Sequence, residues 1–243
     1  GNKSTEWISD KSDKQPKVTL SYKNNQEFGG LIIRWGSHPP KSFKVEFSEN
    51  NTQYDDAFSS LGTPGSVSYL PMAESESKFI RIATTPATTG LVSLAEIEIM
   101  PTSFTHKPFT LFEFMANDFR EGIFPKYLNP QKSYFTVTGV NFDRKESMIN
   151  EEGMVESDKG KFSLEPFIVS NKELLTWKES SNKQELVDGY MPIPKVIRTY
   201  ANGLELTTTT FASGDALSSN SNVIYTIKNN GSSVSKGSLY VAI

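Results

Sequence analysis

Residues 28–35 read Phe28-Gly29-Gly30-Leu31-Ile32-Ile33-Arg34-Trp35. A glycine pair leads into three consecutive aliphatic residues, and the run ends on a tryptophan. Continuous rather than alternating apolar character suits a strand covered on both faces. Phe79-Ile80 has the same character. On either side the period is two. Val18, Leu20 and Tyr22 alternate with Thr19 and Ser21, and Phe43, Val45 and Phe47 alternate with Lys44 and Glu46. Ala95, Ile97 and Ile99 alternate with Glu96 and Glu98. Each is a half-buried strand with one wet face. Turn residues separate them at Pro39-Pro40, Glu49-Asn50-Asn51, Pro64-Gly65 and Pro71.

The pattern continues beyond residue 101. Strand candidates are 134–140, 162–164, 204–206, 223–227 and 239–241. Asn202-Gly203 is a hairpin signal suited to a type I′ turn, and Asn229-Asn230-Gly231 is a second of the same kind. No amphipathic helix stands out. Residues 116–121 and 144–152 could each hold a short helical turn. The polar connector Pro101-Thr102-Ser103 marks the boundary between two domains, 1–101 and 102–243. Both halves are all-β, and packed antiparallel sheets are the natural solution.

Composition narrows the function classes. The chain has 243 residues, 25 Lys and Arg, 28 Asp and Glu, and no cysteine. It therefore has no disulfide scaffold, no Cys-ligated metal and no thiol nucleophile. A net charge of −3 argues against a bulk polyanion binder, so no nucleic-acid partner is expected. No apolar stretch approaches transmembrane length. The start Gly1-Asn2-Lys3 fits a processed N terminus, and runs such as Thr207 to Thr210 suit the exposed strand faces of an exported protein.

Several strings, in order, carry a resemblance. They are Ser4-Thr5-Glu6-Trp7, Phe28 to Trp35, Phe43-Lys44-Val45-Glu46-Phe47-Ser48-Glu49-Asn50, Lys78-Phe79-Ile80-Arg81-Ile82 and Leu94-Ala95-Glu96-Ile97-Glu98-Ile99. Together they resemble the factor V/VIII type C, or discoidin-like, domain, a galactose-binding-like jelly-roll sandwich. The family's opening strands and calcium loop have no counterpart here, so no calcium site is carried over. The rest of the chain resembles the N-terminal β-sandwich that precedes the (α/α)-barrel in bacterial six-hairpin glycosidases. The matching strings are Pro125 to Leu128, Ser133 to Val140, Asn150-Glu151-Glu152-Gly153, Phe162 to Phe167, Leu174-Leu175-Thr176-Trp177 and Asp188 to Pro194. In such proteins the barrel holds the catalytic acids, and the chain stopping at Ile243, inside an apolar strand, is read as an interruption before it.

Candidate sites follow from chemistry. Glycoside hydrolysis needs two carboxyl groups across a bond. Glu113, Asp118, Glu121, Glu151, Glu152, Glu165 and Asp188 are available, but none has a demanding spacing. Glu151-Glu152 reads as a solvated turn, and Glu165 as a hydrogen-bond acceptor at a strand end. His38 and His106 are the two histidines. No Gly-x-Ser-x-Gly elbow accompanies them, so no catalytic triad and no metal or cofactor site is assigned. Sugar binding instead needs an aromatic face with polar neighbours. Trp7, Tyr54 and Trp177 read as packing residues. Trp35 with His38, beside the Pro-rich loop of residues 36–42, is the candidate ligand site, with burial of Trp35 as the alternative.

The expectation is an all-β chain: a discoidin-like jelly roll followed by a second antiparallel sandwich. It is read as a non-catalytic, glycan-binding accessory portion of an exported bacterial polysaccharide-processing protein, partnered by its own C-terminal barrel. Purely structural packing on that barrel and a protein- or cell-surface adhesion role are the alternatives.

Overall fold

The computed structural model describes residues 5–243. Ser4 and the Gly1-Asn2-Lys3 start lie outside them. The chain forms two compact units, residues 1–115 and 116–243.

The first unit is a six-stranded antiparallel sheet in the order β1 (Trp7–Ile8), β6 (Ser93–Met100), β2 (Lys17–Trp35), β5 (Val67–Thr85), β3 (Ser42–Ser48) and β4 (Asp55–Ser59). Two of its strands are 19 residues long. Each supplies both layers of a sandwich. Val18 pairs with Ile82 in one half of the β2–β5 ladder and Ile32 with Tyr69 in the other, with register shifts between Ser21 and Gln26 and between Phe28 and Gly30. Bulges of this kind let a sheet turn a corner. One layer is then the start of β2, the end of β5, β3 and β4. The other is β1, β6, the end of β2 and the start of β5. Phe28, Leu31, Ile33, Trp35, Phe43, Val45, Ile80 and Ile82 fill the space between them.

The reading of residues 31–33 holds. Leu31 and Ile33 face that core, while Ile32 is buried on the opposite face with Met100 and Phe104. Phe104 comes from α1 (Ser103–His106), which is followed by α2 (Pro108–Asp118). The division between units thus falls at residue 115, not at 101, because Phe104 and Leu111 pack on the first sheet. Gly29 and Gly30 lie within β2 and allow that approach. An added Cβ on Gly29 would lie 2.6 Å from the Pro101 carbonyl oxygen, and one on Gly30 only 2.3 Å from that of Leu70.

The second unit has two antiparallel sheets. One holds β7 (Phe135–Thr138), β8 (Ser147–Asn150), β9 (Val155–Glu156), β10 (Ser163–Ser170) and β11 (Glu173–Leu175), with β16 (Gly237–Ala242) along the other edge of β10. The other runs β12 (Ser180–Leu186), β13 (Pro194–Tyr200), β14 (Leu204–Gly214) and β15 (Ser219–Asn229). Ile168 and Leu175 of the first sheet pack with Tyr200, Leu204 and Leu206 of the second, so the sheets face each other.

Three local readings are corrected. Residues 144–152 contain strand β8, not a helical turn. Asn202-Gly203 does end a hairpin, but the loop is 201–203 and Gly203 alone has positive φ, at 83°. That is the three-residue hairpin form rather than type I′. Asn229-Asn230-Gly231 leads not into a hairpin but across to the opposite sheet, where Leu239 joins Ile168.

Candidate functional site

The corners in β2 and β5 send the connections 9–16, 36–41, 60–66 and 86–92 to one end of the first unit. Trp35 and His38 both belong to this end, but the fold treats them differently. Trp35 is 2% exposed. Its ring lies 4.9 Å from that of Phe43, and its indole N–H donates to Ser68 Oγ at 2.9 Å. With so little of its surface exposed, Trp35 cannot serve as a stacking platform. The physical reason is its place in the row Trp35–Leu94–Trp7 across three neighbouring strands. Trp35 lies on β2, inside the sheet with β5 on its other side, and Trp7 on the edge strand β1. Trp7 is consequently 39% exposed, whereas the sequence reading had placed it in the core.

His38 is held at the surface by backbone. Its N–H donates to Ser93 Oγ at 2.7 Å, and its carbonyl accepts from Ser93 N–H at 2.8 Å. Beside it, the Glu6 carboxylate accepts from both the N–H and the hydroxyl of Ser37, each at 2.6 Å. These two Ser37 bonds hold the Glu6 carboxyl below its ordinary pKa. The Ser37 hydroxyl spends its proton on Glu6, so across the 2.9 Å contact with His38 Nδ1 it accepts. The hydrogen-bond network thereby assigns the proton of a neutral imidazole to Nδ1 and leaves Nε2 as an acceptor. Gly36 makes the arrangement possible, because a Cβ there would lie 1.7 Å from Glu6 Oε2 and 2.5 Å from Ser93 Oγ. The cluster offers an imidazole acceptor, a carboxylate and a nearby exposed indole. Glu6 is its one carboxylate, so it is a hydrogen-bonding site rather than an acid/base pair.

The other singled-out residues serve structure. Trp177 is buried, donates to the Phe124 carbonyl at 3.0 Å, and follows Thr176, which forms a reciprocal cap with Glu179. Tyr54 is half-buried under the Arg81 guanidinium, 3.5 Å from the ring centre. Glu152 is not solvated: it and Glu151 grip Lys126 at 2.9 and 2.5 Å, with Glu152 buried. Glu165 is buried against Arg198 at 2.6 Å, and Arg198 also donates to the carbonyls of Glu152 and Pro166. Burial pushes the Glu165 carboxyl up, and Arg198 opposes that shift. The carboxyl groups of Glu152 and Glu165 are closed off from solvent, while Glu151 stays partly exposed. His106 pairs with exposed Glu74 at 3.6 Å. Among the described residues, no group of three or more His, Asp or Glu is arranged to hold a metal.

No family model matches the chain. No curated protein matches it either. Several solved structures are similar to it. A chitosan-binding module in complex with chitotriose, from a Paenibacillus sp. IK-5 chitosanase/glucanase, is 21% identical, with a TM-score of 0.38, over 41% of this chain and 80% of that one. A Clostridium perfringens CBM32 module in complex with GalNAc-β-1,3-galactose is 14% identical, with a TM-score of 0.37, over 41% and 78%. A Ruminococcus gnavus GH29 fucosidase is 16% identical, with a TM-score of 0.38, over 41% of this chain and 20% of its own.

Proposed function

We propose that the first unit is a non-catalytic carbohydrate-binding module, and that the chain is an accessory portion of an exported polysaccharide-processing protein. The observation that carries this reading is the loop-bearing end: exposed Trp7 next to the Glu6–Ser37–His38 chain of hydrogen bonds. A pyranose has an apolar C–H face and a rim of hydroxyls. It needs an aromatic surface for the first and pre-oriented acceptors and donors for the second. Trp7 replaces Trp35 as the stacking residue, and His38 keeps its role.

Fluorescence tests the reading. Trp35 and Trp177 are buried, so Trp7 is the tryptophan open to an aqueous quencher. A glycan array identifies the ligand. That ligand is then expected to protect the protein's emission from iodide, and the protection is expected to vanish in Trp7→Phe. Retention of a glycan with no change in quenching would remove Trp7 from the site.

A second role is favoured for the second unit by its exposed apolar side chains. Tyr134, Val137 and Phe142, and Tyr240 on the edge strand β16, are all more than half exposed. Such surface on a packed sandwich suits docking against a larger body. In this reading that body is the parent protein's own catalytic barrel.

A further inference from the structure

The outer face of the first layer carries a cleft of about 240 Å³ that the Trp7–His38 site does not use. Its geometry follows from register. Lys17 of β2 and Lys44 of β3 are both paired with Ala83 of β5, one on each side. Their neighbours Val18 and Val45 point toward the core, so both lysines point outward. Strands lie about 4.8 Å apart, which sets the two lysine backbones roughly 10 Å apart. Between them the small Ala83 side chain leaves a floor. Gln15, Ser42 and Ser59 complete the wall. Lys44 is paired with Asp56 at 2.5 Å. Among the described residues, no side-chain partner engages Lys17, Ser42 or Ser59. The cleft thus presents one uncompensated ammonium, an amide and the hydroxyls of Ser42, Ser59 and Thr85 over the Ala83 side chain, at the end of the unit that carries the loops.

We propose that this cleft binds an anionic substituent of a saccharide, a uronate carboxylate or a sulfate ester, with Lys17 as its counter-ion. Carboxylate and sulfate share the chemistry that matters here, oxyanion acceptors for an ammonium, an amide and hydroxyls. The inference rests on the glycan-binding reading above and adds the charge class of the ligand.

Affinity electrophoresis of the full chain through gels containing polygalacturonate, dextran sulfate, neutral dextran or neutral galactan tests it. At least one acidic polymer is expected to retard the protein more than its neutral counterparts, and raised salt is expected to weaken that retardation. Lys17→Ala is expected to weaken it about tenfold, the loss typical of one charge-assisted hydrogen bond. Lys159→Ala, an exposed lysine of the second unit, is expected to leave it unchanged. Which acidic polymer responds separates carboxylate from sulfate. Equal weakening by the two substitutions would mean diffuse charge attraction and would overturn the site. Retardation by a neutral polymer, sensitive to Trp7→Ala and no weaker than that by either acidic one, would overturn the charge class and leave the glycan reading standing. Retardation by none of the four, together with an empty glycan array, would remove both.

Discussion

At residue scale, the smallest side chain at the candidate site does the most to shape it. Gly36 permits the Glu6 carboxylate and the Ser93 hydroxyl to sit where its Cβ would be. The nearest of these, Glu6 Oε2, is the end of a flexible chain, and it can swing away at little cost. The buried Ser93 hydroxyl, 2.5 Å from that Cβ, must shift as well, so Gly36→Ala is expected to break the Glu6–Ser37 bonds and weaken glycan binding with a modest loss of stability in urea. A large loss of stability would show that the loop, not the carboxylate, yields. Glu185 gives a residue-scale statement about pH. Its carboxylate lies 2.8 Å from the ammonium groups of both Lys183 and Lys195, which lower its pKa to about 2. An unfolded glutamate titrates near 4.3. The folded value is the lower one, so the stability it contributes is present above about pH 4.3 and is lost as pH falls toward 2. The group is partly exposed, and solvent screening keeps its contribution small. NMR titration should place its midpoint near 2 and find it higher in Lys195→Ala. An ordinary midpoint would contradict the pairing.

At the scale of elements, the close crossing of β2 by the start of the helical segment is the most exacting contact. Gly30→Ala would set a Cβ 2.3 Å from the Leu70 carbonyl oxygen and 2.7 Å from the Phe104 ring. Backbone on one side and a buried ring on the other cannot move freely, so a loss of about 1–3 kcal/mol is expected in urea denaturation. A neutral effect would mean that Phe104 is not fixed there. The strands themselves were legible in the sequence, because period two and the unbroken Leu31–Ile33 run report directly on which faces are covered. The helix α2 was not. Phe109 and Phe112 are about half exposed, so its sequence lacks the polar stripe that marks a surface helix. Trp7 and Trp35 were exchanged in role because their types are identical and only the order of strands says which one lies at an edge. Glu152 reads as solvated because its partner Lys126 lies 26 residues away. Glu165 does accept a hydrogen bond on its strand, but its donor Arg198 lies 33 residues on and no local pattern names it.

At the scale of the whole molecule, two separate cores divide the labour. The second unit's core contains the Glu165–Arg198 pair, and removing one member leaves a buried charge uncompensated. Arg198→Met is expected to cost about 3–5 kcal/mol, most of it recovered when Glu165→Gln is added. Glycan binding by the first unit should survive the single change at temperatures where the second unit remains folded. The central claim concerns the first unit, and calorimetric titration with the ligand found on the array tests it most directly, using the unaltered chain, Trp7→Ala and His38→Ala. The account predicts saturable binding by the unaltered chain. By analogy with bases stacked on aromatic side chains, Trp7→Ala should weaken it by about 1–3 kcal/mol, roughly five- to a hundredfold. His38→Ala should also weaken it, and both variants should melt as the unaltered chain does. Binding that is unchanged in both variants would contradict the account.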